Sequence, residues 1–206
     1  NAVRPAAPAL LQTINVVSNE DKGSTVSLLQ GAVRVLYWES ILADTVSASV
    51  IFTDAGNTMT STKSGQGHGK RKKKVSAVEG LPITGGETVE LKFTDNSDNT
   101  ISFNKSSNNN LYINSIAPIP TDSQTTSKSY ELILTSKEYI DNEKERVRYC
   151  GSGQVSDQVK DILEKVLKSE KVKEEDIETT QVEYQYIGNN KKPFYVINHL
   201  STKAVS

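Results

Sequence analysis

Between Lys63 and Val75 the chain reads KSGQGHGKRKKKV: Gly65, Gly67 and Gly69 with His68 among them, then five basic residues in a row. Glycines ahead of cations suit phosphate binding, because close backbone N–H groups and ammonium groups can surround an anion together. The spacing does not fit a phosphate loop: no Gly is followed by four residues and Gly-Lys-Ser/Thr, and no strand-to-helix unit encloses the stretch. It carries six positive charges and no acid in a chain of formal net charge −1, so the remainder is net −7. Binders of nucleic acid usually spread positive charge along a face and interleave aromatics for stacking, and neither is seen here. Gly and Ser resist regular structure and like charges repel, so the stretch reads first as a solvated insertion between strands. The alternative is a contact to an acidic neighbour or to nucleic acid through Lys63, Lys70, Arg71, Lys72, Lys73 and Lys74.

Other reactive types are sparse. The two histidines, His68 and His199, lie far apart, and Cys150 is the one cysteine. A metal needs several His, Cys or carboxylate ligands at workable spacing, and a nucleophile needs a base beside it. Cys150 therefore reads as a small buried hydrophobe, His199 as a partly exposed helix residue and Trp38 as a strand core or interface residue. The acids of KSEKVKEEDIE are a solvated face. No catalytic residue, metal or cofactor is implied, and a non-enzymatic role is expected.

The elements that would position any such groups are mostly strands. TVSASVIFTDAG puts Val46, Ala48, Val50 and Phe52 on one face, and TVELKFTDN does the same with Val89, Leu91 and Phe93. AVRVLYWES, TISF, NLYINSIA and YELILTS complete six or seven strands between about residues 10 and 135, with a hairpin across Asp95–Asn99. An antiparallel sheet, closed or nearly closed as a barrel or sandwich, is the predicted result.

Beyond residue 135 the period changes. Thr135 and Glu138 are spaced as a capping box before a short helix in SKEYIDNEKERV. VSDQVKDILEKVLK then carries Val159, Ile162, Leu163, Val166 and Leu167 on one helical stripe, so Leu163 is predicted to be core. QVEYQY reads as a strand. Pro193 opens a last helix, with Ile197, Leu200 and Ala204 at helical spacing to the end of the sequence. The predicted organisation is an extended arm over 1–25, a β domain over 26–150 with the basic loop 60–75, and the start of a second, α+β domain over 151–206. With 206 residues the chain can bury roughly 70% of its unfolded surface. One cysteine permits no internal disulfide, which fits a reducing compartment. No apolar run reaches the roughly 18 residues of a membrane span.

In their order, VLYWESILADTVSASVIFTDAG, VEGLPITGGETVELKFTDN, LYINSIAPI, YELILTSKEYIDNEKERVR and GQVSDQVKDILEKVL resemble the baseplate hub proteins of contractile-tailed bacteriophages, those of the large myophages above all. The similarity runs from about residue 26 to residue 206. It implies an α+β chain with a tail-tube-like, mostly antiparallel β-barrel and a smaller helix-containing domain. It also implies a structural virion protein of the tail baseplate, assembled in the host cytoplasm. As a homotrimer it would meet the tail tube protein, the central spike and other baseplate or tape-measure proteins, with no membrane and with nucleic acid only through the lumen. In such hubs each chain carries two barrels; these 206 residues would cover the first and the opening of an inserted domain. Two other classes stay open: a nucleic-acid-contacting module using Lys70–Lys74, and a tail-associated hydrolase.

Replacing Lys63–Lys74 by a short Gly/Ser linker is expected to change stability by no more than about 0.5 kcal/mol, measured by thermal melting.

Overall fold

The structure, a computed structural model, describes residues 9–19, 25–54, 59–62, 72–75, 78, 83–94, 99–120 and 127–204. It divides into two compact units, residues 1–39 with 46–136, and residues 40–45 with 137–206. The predicted boundary at 150/151 therefore sits at 136/137 instead, because the helix after Ser136 and the strand holding Cys150 belong to the second unit's packing.

The first unit is built on one antiparallel sheet. Its strands are β1 (Leu10–Val17), β2 (Thr25–Ser27), β3 (Ala32–Trp38), β4 (Ser47–Asp54), β7 (Thr88–Thr94), β8 (Thr100–Phe103), β9 (Leu111–Ile119) and β10 (Lys128–Thr135). The order is β2-β1-β7-β9-β10-β4-β3, with β8 also paired to β7. Strand β7 is shared: Thr88 and Val89 pair with β9, while Leu91–Thr94 pair with β8. β5 (Met59–Thr62) and β6 (Lys72–Val75) form a separate antiparallel pair.

Period-2 alternation gives each long strand one apolar side, and these sides meet in a single core. Ile14, Val16, Val50, Phe52, Val89, Leu91, Leu111, Ile113, Leu132 and Leu134 are all buried there. Phe52 stacks on Tyr130 with ring centroids 5.7 Å apart. Tyr37, from the β3 end of the sheet, reaches Phe93 and Phe103 on β7 and β8 at 5.6 and 5.5 Å. The sheet is thus rolled until distant strands touch.

Bulges help it roll, since an extra residue bends a strand and increases its twist. The register slips at Leu11/Thr13 against β7, at Ala32/Arg34 against β4 and at Ile133/Leu134 against β9. The roll is bridged where Leu28 N–H donates to Ile14 O at 2.9 Å and a 3-10 turn, Leu29–Gly31, leads into β3. Only Gly fits at residue 31, because a Cβ there would lie 2.5 Å from Thr53 O. Among the described residues no ladder joins β3 to β1, β2 or β8, so the barrel is rolled but unsealed.

The second unit contains α1 (Lys137–Lys144), β11 (Cys150–Gln154), α2 (Val155–Asp161), β12 (Glu183–Ile187) and α3 (Pro193–Ser201), with β11 and β12 antiparallel. Its core is Val147, Val155, Ile162, Tyr186, Val196 and Leu200. Thr135 does not cap α1; it is the last residue of β10, opposite Ser47 and Tyr112. The predicted stripe is also broken. After Asp161 the chain widens into a π-helical turn, Ile162–Val166, where Leu167 N–H donates to Ile162 O. The extra residue turns Leu163 away, so Ile162 and Leu167 are buried while Leu163 joins neither core. The last helix stops at Ser201 rather than running to the end of the sequence.

Ile162→Ala should therefore cost about 2–5 kcal/mol in chemical denaturation and Leu163→Ala about 1 kcal/mol or less.

Candidate functional site

Lys63, Lys70 and Arg71 lie outside the described residues. Lys72, Lys73 and Lys74 stand on β6, paired with Thr62, Ser61 and Thr60. The C-terminal half of the basic run is therefore a strand rather than irregular loop, because backbone pairing with Thr and Ser competes with charge repulsion.

Chemistry does not converge elsewhere. Cys150 is exposed, not buried. Its register explains this: Cys150 pairs with the exposed Ile187, while the next pair, Gly151 and Tyr186, faces the core. A Cβ on Gly151 would lie 2.2 Å from the Tyr186 ring. A shallow recess of about 560 Å³ runs over Cys150, Ser152 and Gln185. His199 is exposed on α3 and meets Tyr184 edge-on at 6.2 Å. Among the described residues no group of three His, Cys, Asp or Glu side chains could hold a metal. Among them, too, no helix is long and apolar enough to cross a membrane.

The best-defined polar arrangement in the first unit surrounds Glu87, which is buried. One carboxylate oxygen accepts from Thr84 N–H at 2.8 Å and Thr84 Oγ1 at 3.2 Å; the other accepts from Gly85 N–H at 2.9 Å. Gly85 and Gly86 both have positive φ, 114° and 83°, a region glycine enters freely. Gly86 N–H then donates to Ile113 O, and Ile113 N–H to Glu87 O. The cluster ties a turn to β9, and with both carboxylate oxygens accepting from local donors it is a structural clamp.

Polar side chains also cross-link neighbouring strands, at the buried Ser49 and at the exposed Gln12. Ser49 donates to Glu131 at 2.6 Å between β4 and β10. Gln12, the extra residue of the β1 bulge, donates to Thr94 at 2.7 Å.

Apolar surface gathers in two places. The first is the unsealed side of the roll, a groove of about 320 Å³ lined by Leu11 on β1, Ala32, Val33 and Val35 on β3, and Phe93. Tyr37 also lines it and donates its hydroxyl to Glu39 at 2.8 Å. Burial, followed by that bond and the Glu39 charge, raises the Tyr37 phenol above the ordinary tyrosine range. The second is the turn Ser40–Thr45, where Ile41 is 100% exposed and Leu42 93% exposed. Trp38, at the end of β3, is 51% exposed. No sequence signal separated these residues from core, because edge position is a property of the sheet and not of the strand.

Tyr37 supports the fold as a neutral donor. With its folded pKa raised, that contribution is complete below the unfolded value of about 10 and is lost as pH climbs above it. Alkaline melts should show wild type losing stability above about pH 10 more steeply than Tyr37→Phe. Glu87→Ala should cost about 2–4 kcal/mol, since three donors of the turn lose their shared acceptor.

No protein-family model matches the sequence, and no curated protein matches it. The fold does have solved neighbours. A tail protein from Neisseria meningitidis MC58 superposes with a TM-score of 0.51 at 10% identity, over 95% of this chain and 45% of that one. The prophage MuSo2 43 kDa tail protein from Shewanella oneidensis gives a TM-score of 0.49 at 12% identity, over 93% of this chain and 50% of that one. The chain spans about half the length or less of either neighbour, and what it shares with the Neisseria protein is a mostly antiparallel α+β fold.

Proposed function

We propose that the chain is a structural subunit of a phage tail, and more particularly a baseplate hub subunit joining the tail tube to the central spike in a trimeric ring. The observation that carries this reading is the rolled antiparallel sheet with its helical companion unit, a fold shared with the Neisseria tail protein over nearly the whole chain. The exposed polar pair Gln12–Thr94 suits a wet lumen or a neighbouring subunit. The buried carboxylate of Glu87 is consumed by its own turn, which favours a scaffold over an enzyme. A sixfold tube can rest on a threefold hub only where each subunit offers two similar surfaces, so the trimer would pair this roll with a second one from the same protein. Lys72–Lys74 and the basic residues before them would face an acidic neighbour or genome in that assembly.

Reconstruction of an intact particle tests the reading. Density for this fold should ring the tail axis directly above the spike, in three copies. Its absence from the particle, with the protein found only free in the host, would sink the proposal. DNA affinity should be weak and fall steeply with salt; tight, sequence-selective binding at high salt would favour a nucleic-acid module instead.

A further inference from the structure

We infer that the turn Ser40–Thr45 of one copy docks into the open groove between β1 and β3 of a second copy of this chain. The inference rests on the ring reading above and names its joint.

The turn is built to present its tip. Ser40 Oγ accepts from Leu42 N–H at 3.2 Å and Ser40 O accepts from Ala43 N–H at 3.0 Å. Asp44 Oδ1 accepts from Asn198 Nδ2 at 2.9 Å, fixing the turn to α3. Two large aliphatic side chains held wholly in water by an ordered turn are an unpaired binding feature, since exposed apolar groups that cluster mark contact sites.

The groove is the matching half. Its walls are Leu11, Ala32, Val33, Val35 and Phe93, and its volume of about 320 Å³ suits one or two aliphatic side chains rather than a helix. Val33 is the extra residue of the β3 bulge and is 68% exposed. That bulge, with the one at Gln12 on the facing strand, keeps the two edges from pairing with each other.

Charge selects the occupant. The groove has a single charged lining residue, Arg34, which makes no ion pair among the described residues. The aliphatic tip carries one acid, Asp44. An apolar tip beside a carboxylate fits an apolar groove beside a guanidinium, and both halves lie on the same chain. Tip and groove are different surfaces, so one copy can pass the contact on to the next head to tail, the class of interface that generates rings when the rotation closes.

The test uses the whole 206-residue chain. Sedimentation equilibrium over a range of concentrations should show reversible self-association. Ile41→Asp and, separately, Val33→Asp should each weaken it on the order of a hundredfold. Because Ile41 is fully exposed, Ile41→Asp should melt like wild type, which separates loss of docking from loss of folding. In a Cys150→Ser background, mixed Ile41→Cys and Val33→Cys chains should cross-link with a short bismaleimide, and neither chain should do so alone. Association that is unchanged by Ile41→Asp, with no cross-link, overturns the joint and leaves the ring reading standing. A chain that stays monomeric at every concentration also overturns the joint, and the ring is then decided by the particle density alone.

Discussion

A sheet with one apolar face has to close that face on something, and here it closes on itself. Burying a large aliphatic or aromatic side chain is worth roughly 1.5–3 kcal/mol, so the inward side chains of the eight-stranded sheet dominate the unit's stability. Everything else follows from how the roll is made. Bulges at Gln12, Val33 and Asn114 bend three strands, Tyr37 packs across to Phe93 and Phe103, and the Leu29–Gly31 turn carries the chain over the gap. The same bulges that allow the curl leave one side unsealed, so core packing and exposed edge have a common cause.

The strands were legible because alternation at period 2 is a property of each strand alone. Val46–Phe52 and Thr88–Thr94 could be read without knowing any partner, and β4 and β7 fall where that reading put them. The α+β class followed from the switch of period near residue 135. Pro193 marked its helix start for a similar reason: the missing N–H costs nothing there.

What failed was non-local. The helix starts of the second unit are satisfied by residues far away in sequence. Phe194 N–H donates to Asn142 Oδ1, and Ser156 N–H and Thr180 N–H bond each other's hydroxyl oxygens. A spacing rule that looks three residues ahead cannot find a cap 52 or 24 residues distant. The π turn moved Leu163 off its stripe because one extra residue per turn leaves no mark in the polar/apolar pattern. Cys150 was misplaced since the two-stranded β11–β12 sheet covers only one face, and which face depends on register. At the candidate site, the basic run was visible but its pairing was not. The exposed edge from Val33 to Leu42 read as ordinary strand and turn.

Strand order also dictates a sequence of events on the ribosome. Among the described strands of the first unit, β10 is the last to be synthesised, yet it lies between β9 and β4 and alone joins them. Its pairing with β4 reaches back 82 residues at Ser49 and Glu131. Until Thr135 has emerged, the first unit's described strands can form, besides the separate β5–β6 pair, two pieces that no ladder joins, the β3–β4 hairpin and the β2-β1-β7-β9 group with β8. Both pieces would carry an open edge and an uncovered apolar face throughout translation, a slow and exposed route that long-range pairing makes unavoidable.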